Sequence, residues 1–440
     1  MRVVKLMDIC DFQKGETGLA KAEPGDYPLV TTGAERKTCN TFQFDTRAVC
    51  IPLVSSTGHG HASLNNVHYQ EGKFALGTIL VALTAKDVQE LDIQFLHLYL
   101  SQLKDQVLVP LMSGAANVAL SVTKVKGVEI PLPAIERQTE IVEHFKSIVS
   151  EENHLKDELT YQQTLLEKLR QQILREAIEG KLTSDWRAAN PNVESARELL
   201  RRIDEEKVEL VKTKKIRKQK LLPPTTDKEK PFELPEKWEW SRVGELTSIS
   251  SGKGFTKSEY SQSGIRLFQI ANVSIGKTSW NTTVYLPETY LKEHSSLELK
   301  AGDIVMALNR PLLGGMLKVA TLSESDVPSI LYQRVGRMDL YSRCVSKWLY
   351  LYLTSSQFSG WLYDQVKGVN IPFVNQTKVY THLIPIPPLV EQKVIVSKVD
   401  KLLGICDQLE TNITQNQAHA DALMQAVLSE AFAQGSEKAV

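Results

Sequence analysis

The segment IPLPAIERQ at residues 130–138 returns as IPIPPLVEQ at 384–392, and each copy opens a long stretch of helical pattern. The alignment runs without a gap from Gly114/Gly368 to Val142/Val396, and ten of its 29 positions are identical. These include Thr123/Thr377, Lys124/Lys378, Val125/Val379, Ile130/Ile384, Pro131/Pro385, Pro133/Pro387 and Gln138/Gln392. Solenoid units repeat every ~20–50 residues. A period of 254 residues is instead a whole domain plus a helix, used twice. Whatever the chain does, it does at two related places.

At 440 residues the length suits about three domains, each large enough for its own core. The five cysteines are scattered and form no CxxC, which argues against a disulfide framework or zinc ribbon and suits a reducing compartment. No run of 18 apolar residues occurs, so neither a leader nor a membrane span is expected, and the expected location is the cytoplasm. Net charge is zero, 52 basic against 52 acidic residues. That balance weakens a reading as a non-specific nucleic-acid coat. Locally, KTKKIRKQK at 212–220 carries six basic residues and no acid; it reads either as a solvated helix end or as a patch near phosphates.

The fold class expected is α+β: two similar globular domains separated by a long antiparallel two-helix coiled coil with internal pseudo-two-fold symmetry. The boundaries read 1–131 for the first domain, 132–187 for the first long helix and 188–232 for an amphipathic helix and linker. The second domain follows at 233–385 and the second helix at 386–436. Short β-branched runs at 49–55 and 78–83, bounded by Gly, Pro or Ser, read as strands, and FLHLYL at 95–100 reads as helix. In the second copy GDIVMAL (302–308) mirrors GTILVAL (77–83), and WLYLYL (348–353) mirrors FLHLYL. The changing offset between these landmarks means that loops vary on a persistent frame. The prolines of each repeat stop helix on their N-terminal side and leave it free to run onward. Ile148, Leu155, Leu159, Leu166, Leu169 and Ile173 fall at heptad positions in the first helix. Leu402, Cys406, Leu409, Ile413, Ala420, Leu423 and Val427 do so in the second, so a coiled-coil seam is expected. Gln162 and Asn416 sit at one seam position in both copies, either as a register device or as solvent-touched residues. Domain–helix–domain–helix order requires the second helix to return along the first. A helix of about 44 residues holds its ends roughly 65 Å apart.

No catalytic constellation emerges. Gly276-Lys277-Thr278 resembles the end of a P-loop, but Ala271 stands where the first glycine must be. His59, His61 and His68 with Cys50 have no counterpart in the second copy and are not read as a metal site. What remains are loops of small, hydrogen-bonding and basic residues. In the first domain these carry Arg36, Lys37, Ser56, Thr57, His59, His61 and Asn117. In the second they carry Lys253, Lys257, Asn309, Arg310, Arg334, Lys367 and Asn370. Arg and Lys can read guanine and Asn can read adenine, while small residues admit backbone to phosphates; ordinary exposed turns look the same. Trp238, Trp240, Trp348 and Trp361 read as core.

The chain resembles the specificity subunit of type I restriction–modification systems. The features that carry the resemblance are the paired proline–glutamine segments and the helix ends LREAIEGKLTSDWR (174–187) and LSEAFAQG (428–435). The domain opening ELPEKWEWSRVGEL (233–246) and the GDIVMAL strand add to them. The resemblance implies two target-recognition domains, each reading half of a bipartite, asymmetric double-stranded DNA sequence. The helices would set the unread spacer and dock two methyltransferase (modification) subunits. S-adenosylmethionine, ATP and Mg would belong to partner subunits, including restriction subunits that translocate and cut, and this chain would be no enzyme. The competing expectation is a coiled-coil adaptor with two protein-binding domains.

Overall fold

The computed structural model describes residues 2–433 apart from Lys21, Gly58, His59, Ala116, Lys215, 217–219 and Val369. Side chains are described as far as Leu423 and at Ala426, so Val427 of the expected seam lies outside them. The chain forms two compact units, 1–161 with 413–440, and 162–412. Each unit therefore holds one globular domain and a part of each long helix.

The two domains share one topology. The first has a four-stranded sheet in the order Cys10–Lys14, Leu80–Ala85, Ala48–Pro52, His68–Gln70. The second repeats it as Thr247–Ser251, Val335–Leu340, Ile304–Ala307, Val319–Thr321. A smaller sheet is ordered Lys37–Cys39, Tyr27–Val30, Lys73–Leu76, Phe44–Asp45 in the first domain. Its counterpart runs Tyr285–Leu286, Ile265–Phe268, Ser329–Leu331, Glu298–Leu299. This order corrects the mirroring of GDIVMAL with GTILVAL. Strand Ile304–Ala307 is the equivalent of Ala48–Pro52, and Leu80–Ala85 is the equivalent of Val335–Leu340. Both first-domain strands are buried neighbours in one sheet, so apolar composition does not tell them apart. With the correct pairing, the length change concentrates between Val30 and Val49, 19 positions that become 36 between Phe268 and Ile304. Helix Ile93–Gln102 and helix Ser346–Leu353 correspond as expected. Leu96, Leu100, Val125 and Ile130 of the first core are buried, as are Leu349, Leu353, Val379 and Ile384 of the second.

The identities of the repeat have physical causes. Gly114 (φ 137°) and Gly368 (φ 78°) occupy backbone that favours glycine. Short helices Val122–Lys126 and Gln376–Thr381 follow, and each is capped at its N-terminus by the residue before it. Ser121 Oγ accepts from Lys124 N, and Asn375 Oδ1 accepts from Lys378 N. Pro131 and Pro385 lie in two-stranded antiparallel ladders, opposite Val3 and Trp240. The glutamine is a clasp at the head of each long helix. Gln138 Nε2 donates to Pro133 O at 2.9 Å, and Gln392 Nε2 donates to Pro387 O at 2.8 Å. Both glutamines are buried, where an unpaired amide is costly.

The long helices span Ile135–Ile178 and Leu389–Ala433 and run antiparallel. In the second unit Arg170 pairs with Asp407 and Glu410, while Lys398 donates to Leu182 O, so partners descend on one helix as they rise on the other. In the first unit Lys156 bridges Glu152 and Asp421. Of the expected seam residues with described side chains, only one heptad position per helix is buried: Leu159, Leu166 and Ile173 on one, Cys406, Ile413 and Ala420 on the other. Leu155, Leu169, Leu409 and Leu423 are 43–65% exposed, and Gln162 and Asn416 lie on this outer stripe. The full two-position seam is thus corrected, and of the two readings of Gln162 and Asn416 their exposure favours the solvent-touched one. Two helices alone close a narrower contact than the pattern offers.

Helix Ala196–Lys212 buries Ala196, Leu199 and Ile203, as its amphipathic pattern requires. The proline-rich stretch after it is strapped down rather than free. Arg242, 2% exposed, donates to Pro223 O, Pro224 O and Thr381 O and to both oxygens of Glu229. Backbone and side-chain bonds from Thr226, then Arg242, hold the Glu229 carboxyl down to about 2. A carboxyl depressed in the folded state stabilises it above its ordinary value near 4.5 and loses that contribution as pH falls towards 2. Proteolysis within 220–232 is therefore expected to accelerate between pH 4.5 and 2 in the wild type, assayed with an acid protease. Glu229→Gln should show the faster rate at all pH values.

Candidate nucleic-acid interface

In both domains two loops meet through the same pair of backbone hydrogen bonds. In the first, Ser55 N donates to Val118 O at 3.0 Å and Leu120 N to Leu53 O at 2.9 Å. In the second, Arg310 N donates to Pro372 O at 2.7 Å and Val374 N to Leu308 O at 2.8 Å. The repeat register equates Ser55 with Arg310, Asn117 with Ile371 and Ala119 with Phe373. One frame thus presents two different sets of side chains.

The first frame brings Ser56, Thr57, His61 and Asn117 together, all exposed. Ser55 Oγ donates to His61 O at 2.6 Å, and Ser56 Oγ accepts from Asn65 N at 2.9 Å, so the loop is internally braced. Gly60 (φ 78°) lets it touch the neighbouring loop, because a Cβ there would stand 2.6 Å from Ala115 O. His59 lies outside the described residues. Arg36 faces inward. Its guanidinium donates to Gln70 Oε1, Ala34 O, Tyr69 O and His68 Nδ1. Burial first, then the Arg36 charge, holds His68 down to about 4, so it is neutral and accepts that bond. Lys37 is exposed on its strand and, among the described residues, is the open cation of that loop.

The second frame is basic. Leu308 N donates to Arg334 O and Gln333 N to Lys253 O, which join three strand ends to the Asn309–Arg310 loop. Arg310 (φ 44°) and Arg334 (φ 72°) are left-handed; such strain in non-glycine residues concentrates at functional sites. Lys318 is half-buried, and burial together with Arg310 holds its amine below its ordinary value. Lys253 lies over the Phe255 ring at 5.2 Å. Lys257 is exposed on a capped turn, Lys367 pairs with Asp364 at 2.8 Å, and Asn370 is exposed. Sequence reasoning missed Lys318, Ile371 and Phe373, although the ungapped repeat aligned Phe373 with Ala119. Trp238 and Trp348 are core, as expected; Trp240 and Trp361 are partly covered. Among the described residues no group of His, Cys, Asp or Glu is placed to hold a metal, and no helix is long and apolar enough to cross a membrane.

Residues 1–161 and 235–417 match the family model described as the type I restriction modification DNA specificity domain. The chain belongs to this family. It is 37% identical over 299 residues to the specificity subunit of the type I restriction enzyme EcoAI of Escherichia coli, covering 67% of this chain and 48% of that protein. It is 40% identical over 177 residues to the MjaVIII specificity subunit of Methanocaldococcus jannaschii, covering 39% and 42%. The chain thus spans about half the length of these two curated relatives. Against the EcoDI specificity subunit of Escherichia coli, identity is 23% over 98% of this chain and 87% of that one. The same fold appears in a solved chain of a type I R-M system, with TM-score 0.62, 17% identity and coverage of 98% and 97%. It appears again in the HsdS subunit from Thermoanaerobacter tengcongensis, with TM-score 0.54, 18% identity and coverage of 98% and 96%.

Proposed function

We propose that this chain is the DNA-specificity subunit of a type I restriction–modification complex, each domain reading one half of a split, asymmetric duplex sequence. The observation that carries this reading is the repeated loop frame, held by matching hydrogen bonds and bearing unlike side chains. A repeated scaffold with divergent loops suits recognition of two different sequences. The helices set the unread spacer. In each unit the helices expose leucines (Leu155 and Leu423 in one, Leu169 and Leu409 in the other), which suits the docking of a modification subunit at each. S-adenosylmethionine is held by those subunits, ATP and Mg by restriction subunits, and the chain itself catalyses nothing. The assembly works in the cytoplasm. Family membership favours this reading over a protein adaptor.

Exchanging residues 1–131 for the same region of a relative is expected to change one methylated half-site and leave the other; a change in both refutes independent reading. Arg310→Ala distinguishes two ways of meeting the duplex. If Arg310 meets a phosphate, the variant lowers the slope of log affinity against log salt by about 1. If it meets a base, the variant costs about 1–3 kcal/mol and relaxes preference at one position. Binding that is independent of salt would support the adaptor instead.

A further inference from the structure

Equivalent positions of the two frames carry opposite chemistry. Where the first domain has Ser55, Asn117 and Ala119, the second has Arg310, Ile371 and Phe373. Ile371 and Phe373 are 57% and 55% exposed. Arg310 N donates to Pro372 O at 2.7 Å, and two residues after Arg310 the chain enters a hairpin that pairs Leu312–Leu313 with Met316–Leu317 and turns at Gly314 (φ 55°) and Gly315 (φ 80°). Leu313, at the last pair before that turn, is equally exposed. The hairpin is anchored at its base: Lys318 N donates to Pro311 O at 2.8 Å, and Leu317 N donates to Ser359 Oγ at 3.1 Å.

The surrounding charge says what covers these apolar groups. Arg310, Lys318 and Arg334 belong to the same loops, and among the described residues none of the three has an ion-pair partner. Three basic side chains without acidic partners leave a local excess of positive charge, the footprint of a polyanion rather than of a neutral surface. Apolar tips set among unpaired cations fit a duplex, whose phosphates meet the cations while the tips reach the stacked bases.

Resting on the DNA-reading function above, we propose that Leu313, Ile371 and Phe373 form an apolar wedge. The second domain presses it against one base step of its half-site and partly unstacks it. The first domain, with Ser55, Asn117 and Ala119 at the matching places, reads an undistorted half. Part of the second domain's specificity then comes from how readily its step opens, and pyrimidine–purine steps open most readily.

The test uses the full chain assembled with its modification subunits and the duplex identified by methylation mapping. 2-Aminopurine is placed at successive positions other than the methylated adenine. The expected result is a several-fold rise in emission at one step in the half read by the second domain, and none in the other half. The Leu313→Ser/Phe373→Ser variant should lose that rise while keeping the salt slope of binding. Sequence-specific binding with no rise at any step overturns the wedge but leaves DNA reading intact. Binding with neither sequence preference nor salt dependence overturns the function itself. Failure of the double variant to assemble with the modification subunits, its folding unchanged, would assign the apolar patch to a protein contact and also overturn the wedge.

Discussion

Glu391→Ala is expected to destabilise the second unit by about 3–5 kcal/mol, the cost of breaking a buried ion pair by removing one partner. Glu391 is fully buried at the head of the second long helix. Its carboxylate accepts from Arg187 Nη1, from Thr183 Oγ1 at 2.7 Å and from Trp238 Nε1 at 2.9 Å. Three separate segments meet there: the turn after the first long helix, the lead into the second domain, and the second helix itself. Arg187 also donates to Gly180 O at 2.8 Å, and Gly180 has φ 73°. Removing the carboxylate strands three donors. Urea unfolding followed by tryptophan fluorescence should show the midpoint lowered, with Trp238 inside the knot as one reporter. Glu391→Gln keeps an acceptor and should lose less. Arg137 is the matching position of the first repeat, exposed and, among the described residues, ion-paired only with Glu140 along its own helix. Arg137→Ala should change stability by about 0.5 kcal/mol or less.

Arg242→Met should cost on the order of 3 kcal/mol, because the side chain serves three backbone carbonyls and a carboxylate from a nearly buried site. Each orphaned buried acceptor costs about 1–3 kcal/mol, and the partial access of water to the strap keeps the total below the sum. Loosening should appear first as cleavage within 220–232, at protease levels that leave the domains whole, since local opening precedes global unfolding. Arg242→Lys should not rescue it, because an ammonium cannot form the fork that reaches Pro223, Pro224 and Glu229 together. Cleavage equal to the wild type in Arg242→Met would show that the strap is held elsewhere.

Much of the architecture is legible in the residues because the repeated positions obey local rules. Gly114/Gly368 need left-handed backbone, Pro133/Pro387 and Gln138/Gln392 build the same clasp, and the prolines mark where each helix starts. Features that depend on tertiary neighbours are not legible. GDIVMAL and GTILVAL look alike because both are buried strands of one kind of sheet, and only the ladder tells them apart. The leucines of the outer stripe have heptad spacing, but whether a heptad position is covered depends on how many helices pack there. Arg36 looks like a recognition residue in a basic turn, yet a neighbouring strand turns it into an internal clamp. Nothing in the residues around Phe373 signals its exposure, which follows from the loop frame that carries it.

The proposed spacing role of the counter-running helices is tested most directly by removing one heptad from the middle of each and mapping methylated adenines in cells. Seven residues shorten a helix by about 10 Å, close to the rise of three base pairs. The expected product is a target whose two halves keep their sequences while the gap between them shrinks by about three base pairs. Methylation at the original gap would contradict a fixed-length spacer.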